Sequence, residues 1–315
     1  METRRIGELE VSLVGLGCNN FGGRIDAGQT QQVVDAALEA GITLFDTADV
    51  YGGQGASEEL LGRALGSRRD HTIIATKFGM ALDDQRQGAH PDHVRRACEA
   101  SLRRLGVDHI DLYQLHRPDP EVPIEETLGA LDELVTTGKV REIGHSNLSA
   151  AQADEAEAAA RQAGTARFVC AQDHWSLLAR DVEDGIIEAV ERHGLAVLPF
   201  FPLASGLLTG KYTADAEQDP SWRLNRLAEE RRASFIDDQR VATVRDLEVF
   251  AGDAGRSLLE LAMSWLACQA PVASVIAGAT RPEQVEANVA AVSWDLDHAA
   301  RQEIDRLTGQ GQDDA

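Results

Sequence analysis

Four side chains with different proton chemistry come at the ends of short strand-like runs in the first 116 residues. Asp46 ends one run and leads into a loop that carries Tyr51, while Lys77 and His116 each follow a later run. The carboxyl ends of parallel strands in a closed barrel lie at one end, where sites are built from several strands. The sequence therefore predicts that these four groups share one site.

The chemistry of the four groups favours proton donation to a growing oxyanion. A tyrosine hydroxyl has a free pKa near 10, so it needs a neighbouring cation such as Lys77 to favour the phenolate. Asp46 would keep Lys77 charged, and His116 could donate a hydrogen bond to a carbonyl oxygen. The attacking species is then no residue of the chain, and a hydride donor is the natural candidate.

Other interpretations of the same residues exist. Taken singly, Asp46 could cap a helix and Tyr51 could be a half-buried loop aromatic. Lys77 could be a solvated cation at a strand end, and His116 could be a loop histidine whose hydrogen bonds are satisfied. Lys77 could also form a Schiff base, but this needs a lowered lysine pKa, whereas Asp46 favours the charged form. No Gly-x-Ser-x-Gly or His-Glu-x-x-His segment occurs, so neither a serine nucleophile nor a metal site is expected.

Strand and helix patterns alternate along the chain and predict a (β/α)8 TIM barrel with a short N-terminal β-hairpin and extra helices. The hairpin is expected at 4–6 and 9–14. Barrel strands are expected at 14–17, 41–45, 72–76, 110–115, 139–144, 168–171, 195–199 and 273–276. Helices are expected at 30–40, 57–65, 125–136, 182–193, 239–250 and 258–266, and others begin at 91, 149 and 280.

A doubly wound open sheet is the alternative fold. It would place a Gly-x-Gly-x-x-Gly turn after the first strand, but Gly15 and Gly17 are followed by Cys18-Asn19-Asn20. We expect a single domain over 1–315, with a disordered tail from about 308 to 315. The polar stretch from Tyr212 to about Asp238 is long enough to be a lid or substrate loop, or else a mobile ornament.

The chain is strongly acidic. Its 315 residues carry 30 Lys and Arg against 52 Asp and Glu, a net charge of −22, and the pI is about 4.7. Such a balance argues against nucleic acid or an anionic membrane as a partner. No export signal or spanning segment is visible, so a cytoplasmic protein is expected, and the four scattered cysteines are expected to be reduced.

Several motifs resemble those of the aldo-keto reductase superfamily, and the likeness runs from about residue 6 to residue 307. Asp46, Tyr51, Lys77 and His116 lie in contexts similar to the family's catalytic tetrad: Phe-Asp-Thr-Ala-Asp-x-Tyr-Gly, Thr-Lys-Phe and Tyr-Gln-Leu-His. Further family-like segments are 144–147, 171–178, 198–203, 206–212 and 278–288.

The resemblance implies an NADPH-dependent reductase of small aldehydes or ketones, with Tyr51 as general acid. It implies that Ser146, Asn147 and Gln172 bind the nicotinamide carboxamide and that Phe200 stacks on the ring. It places the pyrophosphate at the loop 203–211 and the 2′-phosphate at Arg281. The full set of implied cofactor residues is Gly22, Ser146, Asn147, Gln172, Phe200, Leu203, Ser205, Gly206, Lys211, Gly278, Thr280, Arg281, Gln284 and Asn288.

Some residues depart from the family pattern. Asp173 stands where Asn is common, His174-Trp175 replaces an acidic-Tyr pair, and Ala277 stands where Pro is frequent. Asp173 and the aromatic residues Phe21, Phe78, Trp175 and Trp222 could shape the substrate pocket, and core packing is the alternative for the aromatics.

The resemblance leaves several properties open. A channel-associated subunit resembles this family, so a cofactor-binding sensor with little turnover is the alternative function. The physiological substrate, the direction of the reaction and the oligomeric state are not determined, although the family is commonly monomeric.

Overall fold

The computed structural model describes residues 1–212, 224–226 and 237–309, and this part contains ten strands and ten α-helices. The strands are β1 Thr3–Ile6, β2 Leu9–Ser12, β3 Val14–Gly17, β4 Leu44–Asp46, β5 Ile73–Phe78, β6 Ile110–Leu115, β7 Val140–Ser146, β8 Cys170–Gln172, β9 Ala196–Val197 and β10 Val275–Gly278. The helices are α1 Ala27–Glu39, α2 Ala56–Leu65, α3 Pro91–Leu105, α4 Ile124–Thr136, α5 Ala150–Ala163, α6 Ile186–His193, α7 Asp238–Asp253, α8 Leu258–Ala267, α9 Pro282–Ala290 and α10 His298–Leu307.

Strands β3 to β10 form one parallel sheet that closes into a barrel. The sheet follows chain order from β3 to β9, and β10 lies beside β3. The remaining gap is bridged because the Ala273 amide donates to the Val197 carbonyl (2.9 Å) and the Ile276 amide to the Pro199 carbonyl (3.2 Å). Eight parallel strands with helices between them confirm the predicted (β/α)8 architecture and exclude the doubly wound sheet.

The strand register brings the predicted site residues to one end of the barrel. Asp46 pairs with Ala75 as the last residue of β4, and Ser146 pairs with Gln172 at the ends of β7 and β8. Lys77 is the next-to-last residue of β5, whereas the sequence pattern ended the strand at residue 76 and placed Lys77 directly after it. These positions form the carboxyl end of the barrel.

The N-terminal hairpin covers the opposite end. Strands β1 and β2 pair antiparallel, as predicted, although β2 ends at Ser12 and Val14 already belongs to the barrel. The hairpin side chains Ile6, Leu9 and Val11 are fully buried in the cluster that fills the barrel interior. The hairpin therefore plugs the amino end of the barrel.

Local sequence sets several helix boundaries. Ser149 caps α5, which was predicted to begin there, in a capping box: its hydroxyl accepts from the Gln152 amide (3.3 Å), and the Gln152 side chain accepts from the Ser149 amide (3.0 Å). The helix predicted at 182–193 is wrong over its first turn. A 3₁₀ turn at Asp181–Glu183 precedes α6, because Gly185 has a left-handed φ of 87° that interrupts the helix.

The prediction that a helix opens at Thr280 is also wrong by two residues. Helix α9 begins at Pro282, and Arg281 is its N-cap residue rather than part of its first turn. Proline favours the first helical position because it lacks the N–H that would be unsatisfied there.

Parts of two predictions lie outside the described residues. Most of the predicted loop from Tyr212 to Asp238, including Trp222, falls there, as do residues 310–315 of the predicted tail. Thr308, in contrast, ends α10 and accepts a hydrogen bond from Arg180 (2.8 Å). Among the described helices, none combines the length and apolar character needed to cross a membrane.

Candidate active site

Lys77 forms the centre of the predicted tetrad. Its side chain is fully buried, and its ammonium nitrogen donates to both Asp46 carboxylate oxygens (2.8 Å each) and to the Thr47 carbonyl (2.9 Å). These three bonds fix the position of the ammonium group. The ammonium also lies 5.2 Å from the centroid of the Tyr51 ring, so the charge is held beside the phenol.

Burial and neighbouring charges shift the pKa values of Lys77 and Tyr51 in opposite directions. Burial alone would lower the pKa of Lys77, but the Asp46 carboxylate, followed by Tyr51, raises this pKa above its usual value. Burial also raises the pKa of the Tyr51 phenol, and the Lys77 charge counteracts this only in part. Tyr51 is therefore protonated at neutral pH, and Lys77 is an ammonium.

His116 stands edge-on to Tyr51. The two ring centroids are 5.8 Å apart with an interplanar angle of 82°. Burial, with the Lys77 and Arg117 charges, lowers the pKa of His116 to about 3, so the imidazole is neutral at physiological pH. A neutral imidazole has one N–H to donate and one nitrogen that accepts. This is the form suited to donating a hydrogen bond to a substrate oxygen.

Two glutamines support Asp46. The Gln172 side chain donates to Asp46 Oδ1 (2.9 Å), and Gln114 makes a longer contact with the same oxygen (3.5 Å). Sequence reasoning missed Gln114 and did not connect Gln172 to the tetrad. The signal was available, because Gln114 lies near the carboxyl end of the predicted strand 110–115, and the site of a barrel is built at the strand ends.

The residues predicted to hold the carboxamide are adjacent to one another. The Asn147 side-chain amide donates to the Ser146 hydroxyl (2.8 Å) and to the His116 carbonyl (3.0 Å), and Ser146 donates to the Gln172 carbonyl (2.7 Å). Within the described residues, no hydrogen bond reaches the side-chain oxygens of Asn147 and Gln172. Two amide oxygens are thus able to accept the N–H groups of a carboxamide.

Phe200 belongs to a cluster of three rings. Its ring stacks on His174 at 5.5 Å with an interplanar angle of 12°, and Phe201 meets Phe200 edge-on at 5.3 Å. One face of Phe200 is therefore supported by His174. The sequence marked His174 only as a departure from the family pattern and did not indicate this stack, which depends on the pairing of the segments that follow β8 and β9.

The loop after β9 has unusual backbone geometry. Phe201, Ala204 and Ser205 have positive φ angles of 53°, 45° and 58°, a region that non-glycine residues seldom adopt. Gly206 follows with φ of 101°, and a Cβ there would lie 2.9 Å from Lys211 Nζ. The Leu203 carbonyl accepts from the Gly206 amide (2.7 Å), which closes the loop. The structure thus brings Lys211 against the predicted pyrophosphate loop.

The predicted adenosine region lies between β10 and α9. The Gln284 side chain accepts from the Thr280 amide (2.8 Å) and hydroxyl (3.1 Å), so its oxygen is already used inside the protein. Arg281 is exposed and lies 3.8 Å from Glu283, while Asn288 is buried. A Cβ at Gly278 would come within 3.2 Å of Asn20 Nδ2, so this glycine allows a close approach of two loops.

Gly22 also allows a close approach. It has φ of 73°, and a Cβ there would lie 2.8 Å from the Cβ of Ala56. Phe21, Phe78 and Trp175 are buried within the core, which favours their packing role over a role in the pocket. Trp175 additionally donates from its indole nitrogen to Glu183 (2.9 Å).

The model of the aldo/keto reductase family matches residues 13–308 of the chain. The chain belongs to the aldo/keto reductase family. The resemblance noted in the separate motifs is thus confirmed over nearly the whole sequence. Membership supports oxidoreductase activity on small carbonyl compounds in general.

Individual members of the family are about one-third identical to this chain. A probable aldo-keto reductase 1 of Glycine max is 36% identical over 94% of this chain and 85% of its own length. Aldo-keto reductase YhdN of Bacillus subtilis is 33% identical over 95% of this chain and 90% of its own length. A probable voltage-gated potassium channel subunit beta of Arabidopsis thaliana is 34% identical over 93% of this chain and 91% of its own length.

Proposed function

We propose that the chain is an NADPH-dependent oxidoreductase that reduces aldehyde or ketone carbonyls to alcohols, with Tyr51 as general acid. The observation that carries this proposal is the buried Lys77 ammonium, fixed by Asp46 and held 5.2 Å from the Tyr51 ring. No nucleophilic side chain is needed, because a bound nicotinamide cofactor supplies a hydride.

Each member of the tetrad has a separate task. Tyr51 carries a proton at neutral pH and donates it to the substrate oxygen, and Lys77 stabilises the phenolate that remains. Asp46 keeps Lys77 charged, which also argues against a Schiff base, since that chemistry needs a neutral amine. His116 is neutral and donates a hydrogen bond that orients the carbonyl.

The donor set suits a nicotinamide dinucleotide. The amide oxygens of Asn147 and Gln172, which accept no hydrogen bond from the described residues, match a carboxamide. Phe200 offers an aromatic ring whose other side is supported by His174. The loop 203–206 with Lys211 suits the pyrophosphate. Arg281 lies at the N-terminus of α9, where an anion is favoured, so we propose that it binds the 2′-phosphate of NADPH.

The test compares Tyr51→Phe with Tyr113→Phe. Tyr113 is the matched control because it is fully buried and its hydroxyl has no hydrogen-bond partner within the described residues. Consumption of NADPH and NADH is followed with a panel of aldehydes and ketones. We expect kcat of Tyr51→Phe to fall by about 10²- to 10⁴-fold, the usual contribution of a general acid, and kcat of Tyr113→Phe to change little. Equal turnover of both variants would remove Tyr51 from the mechanism.

The second candidate function is a cofactor-binding module with little turnover. The observation that favours it is the similarity to a protein named as a probable potassium channel subunit beta. If wild-type protein binds NADPH but consumes it with no carbonyl compound in the panel, this second function replaces the first.

A further inference from the structure

Asp173 contacts two residues of the predicted nicotinamide subsite, Asn147 and Phe200. It follows β8 directly after Gln172 and is only 5% exposed. Its Oδ1 accepts from the Asn147 amide (3.1 Å), and its carbonyl accepts from the Phe200 amide (3.0 Å). Asp173 therefore connects the backbone of Asn147, which is proposed to bind the carboxamide, to the backbone of Phe200, which is proposed to stack on the nicotinamide ring.

Asn147 depends on such support because its backbone is in the left-handed region, with φ of 61°. Asparagine tolerates this conformation better than most residues, but neighbouring contacts must still hold it there. Its side chain bonds to the Ser146 hydroxyl and the His116 carbonyl, so the conformation of Asn147 connects the subsite to the tetrad. Asp173 is the partner of its backbone N–H.

The second oxygen of Asp173 is in an unusual environment. Oδ2 is buried and has no hydrogen-bond partner within the described residues. Burial raises the pKa of Asp173 to about 6, although the Asn147 N–H lowers it in part. Both forms of the carboxyl are therefore populated near neutral pH, and the carboxylate is the stronger acceptor of the two.

We propose that Asp173 is a positioning residue whose carboxylate holds Asn147 in its left-handed conformation, so that dinucleotide binding weakens when this carboxyl is protonated. The proposal rests on the proposed function in one respect, namely that a dinucleotide binds at Asn147. Affinity is then highest above about pH 6 and falls as the pH decreases through this value. By linkage, cofactor binding lowers the pKa of Asp173.

Other ionisable groups surround this carboxyl. They are His116 beyond Asn147, Cys170 on the same strand, His145 on β7, the Asp46–Lys77 pair behind Gln172, and the following residue His174. Burial lowers the pKa of His116 to about 3 and that of His145 to about 4, and burial raises the pKa of Cys170, so these three stay neutral above pH 5. Burial also lowers the pKa of His174.

The experiment measures the dissociation constant of NADPH by fluorescence between pH 5 and 8 for wild type, Asp173→Asn and Asp173→Leu. Asparagine mimics the protonated carboxyl, because it keeps an oxygen acceptor without the charge. We expect Asp173→Asn to bind about fivefold more weakly than wild type at pH 7.5, since a charged acceptor forms a hydrogen bond about twice as strong. The two proteins should bind equally at pH 5, and Asp173→Leu should bind more weakly than both at pH 7.5.

The decisive quantity is the ratio of the NADPH dissociation constant of wild type to that of Asp173→Asn at each pH. Both measurements use the same ligand, and both proteins contain His174. The titration of the 2′-phosphate and of His174 therefore cancels in this ratio. A ratio that is constant from pH 5 to 8 overturns the proposal, as does an unchanged affinity in Asp173→Leu.

A second measurement uses the protein without cofactor. The Asn147 amide resonance should shift with a midpoint near pH 6 in wild type and stay constant in Asp173→Asn. If no dinucleotide binds to any of the proteins, the proposed function fails. The amide titration still tests the Asp173–Asn147 contact, and its absence in wild type overturns that part of the inference.

Discussion

Two histidines of this protein show that burial sets the ionisation state of single residues. His116 and His145 are both neutral at physiological pH because burial lowers the pKa of each, to about 3 and about 4. His116 stands beside Tyr51, where a neutral donor serves the proposed reaction. His145 has neither ring nitrogen hydrogen-bonded within the described residues, and its only close ring contact there is Phe168 at 5.2 Å.

His145 should make the folded state sensitive to acid. An unfolded chain protonates histidine near pH 6.5, whereas folded His145 resists protonation until about pH 4, so the unfolded state binds more protons between these values. Stability contributed by this group is complete above about pH 6.5 and is lost as the pH falls. We expect His145→Leu to reduce the loss of unfolding free energy between pH 7 and pH 5 by about 2 kcal/mol.

Denaturant unfolding at the two pH values measures this effect. His71 supplies the matched control because it is exposed, and His71→Val should leave the difference between pH 7 and pH 5 within error. An acid sensitivity of His145→Leu equal to that of wild type would contradict the prediction.

At the scale of elements, the residues that stabilise the fold at the hairpin and the residues of the candidate site lie at opposite ends of the barrel. The hairpin packs Ile6, Leu9 and Val11 into the amino end of the barrel interior, while the tetrad occupies the carboxyl end. Changes in the hairpin should therefore affect the unfolding free energy without altering the site.

Leu9→Ala tests this separation. Leu9 is fully buried, and removing such a side chain costs about 2–5 kcal/mol of unfolding free energy through lost burial and the cavity left behind. We expect this loss in denaturant unfolding at 25 °C, together with an unchanged dissociation constant for NADPH. The exposed neighbour Glu10 is the control, and Glu10→Ala should change stability by no more than about 0.5 kcal/mol. A large change in cofactor affinity in Leu9→Ala would show that the two ends are coupled.

The net charge of −22 acts on the molecule as a whole. So many like charges repel one another in the compact state, and salt screens this repulsion. Raising NaCl from 0.01 to 1 M shortens the screening length from about 30 Å to about 3 Å. Exposed ion pairs are weakened as well, but each contributes little.

We therefore expect the melting temperature to rise by roughly 1–2 °C over this range of NaCl, which corresponds to about 1 kcal/mol for a chain of 315 residues. Calorimetry measures the shift, and choline chloride in place of NaCl controls for specific sodium binding. A melting temperature that falls with salt would mean that ion pairs outweigh the net repulsion. The same scans test the prediction of one domain over 1–315, for which a single cooperative transition is expected.

The sequence by itself determined the barrel and the positions of the tetrad. Alternating strand and helix patterns require a parallel sheet, and a residue that ends a strand must then lie at the carboxyl end of that sheet. For this reason the sequence alone predicts that one site contains Asp46, Lys77 and His116. The same argument applies to Gln114, which lies near the carboxyl end of β6.

Only the tertiary structure decided the contacts between these positions. The Asp173–Asn147 hydrogen bond and the Phe200–His174 stack join residues 26 positions apart in the chain, and both depend on the pairing of neighbouring strands. The direction in which the pKa of Tyr51 shifts was also decided only by the tertiary structure. Sequence suggested that Lys77 lowers the pKa, whereas burial raises it overall, because desolvation depends on every atom packed around the phenol and not on one neighbour.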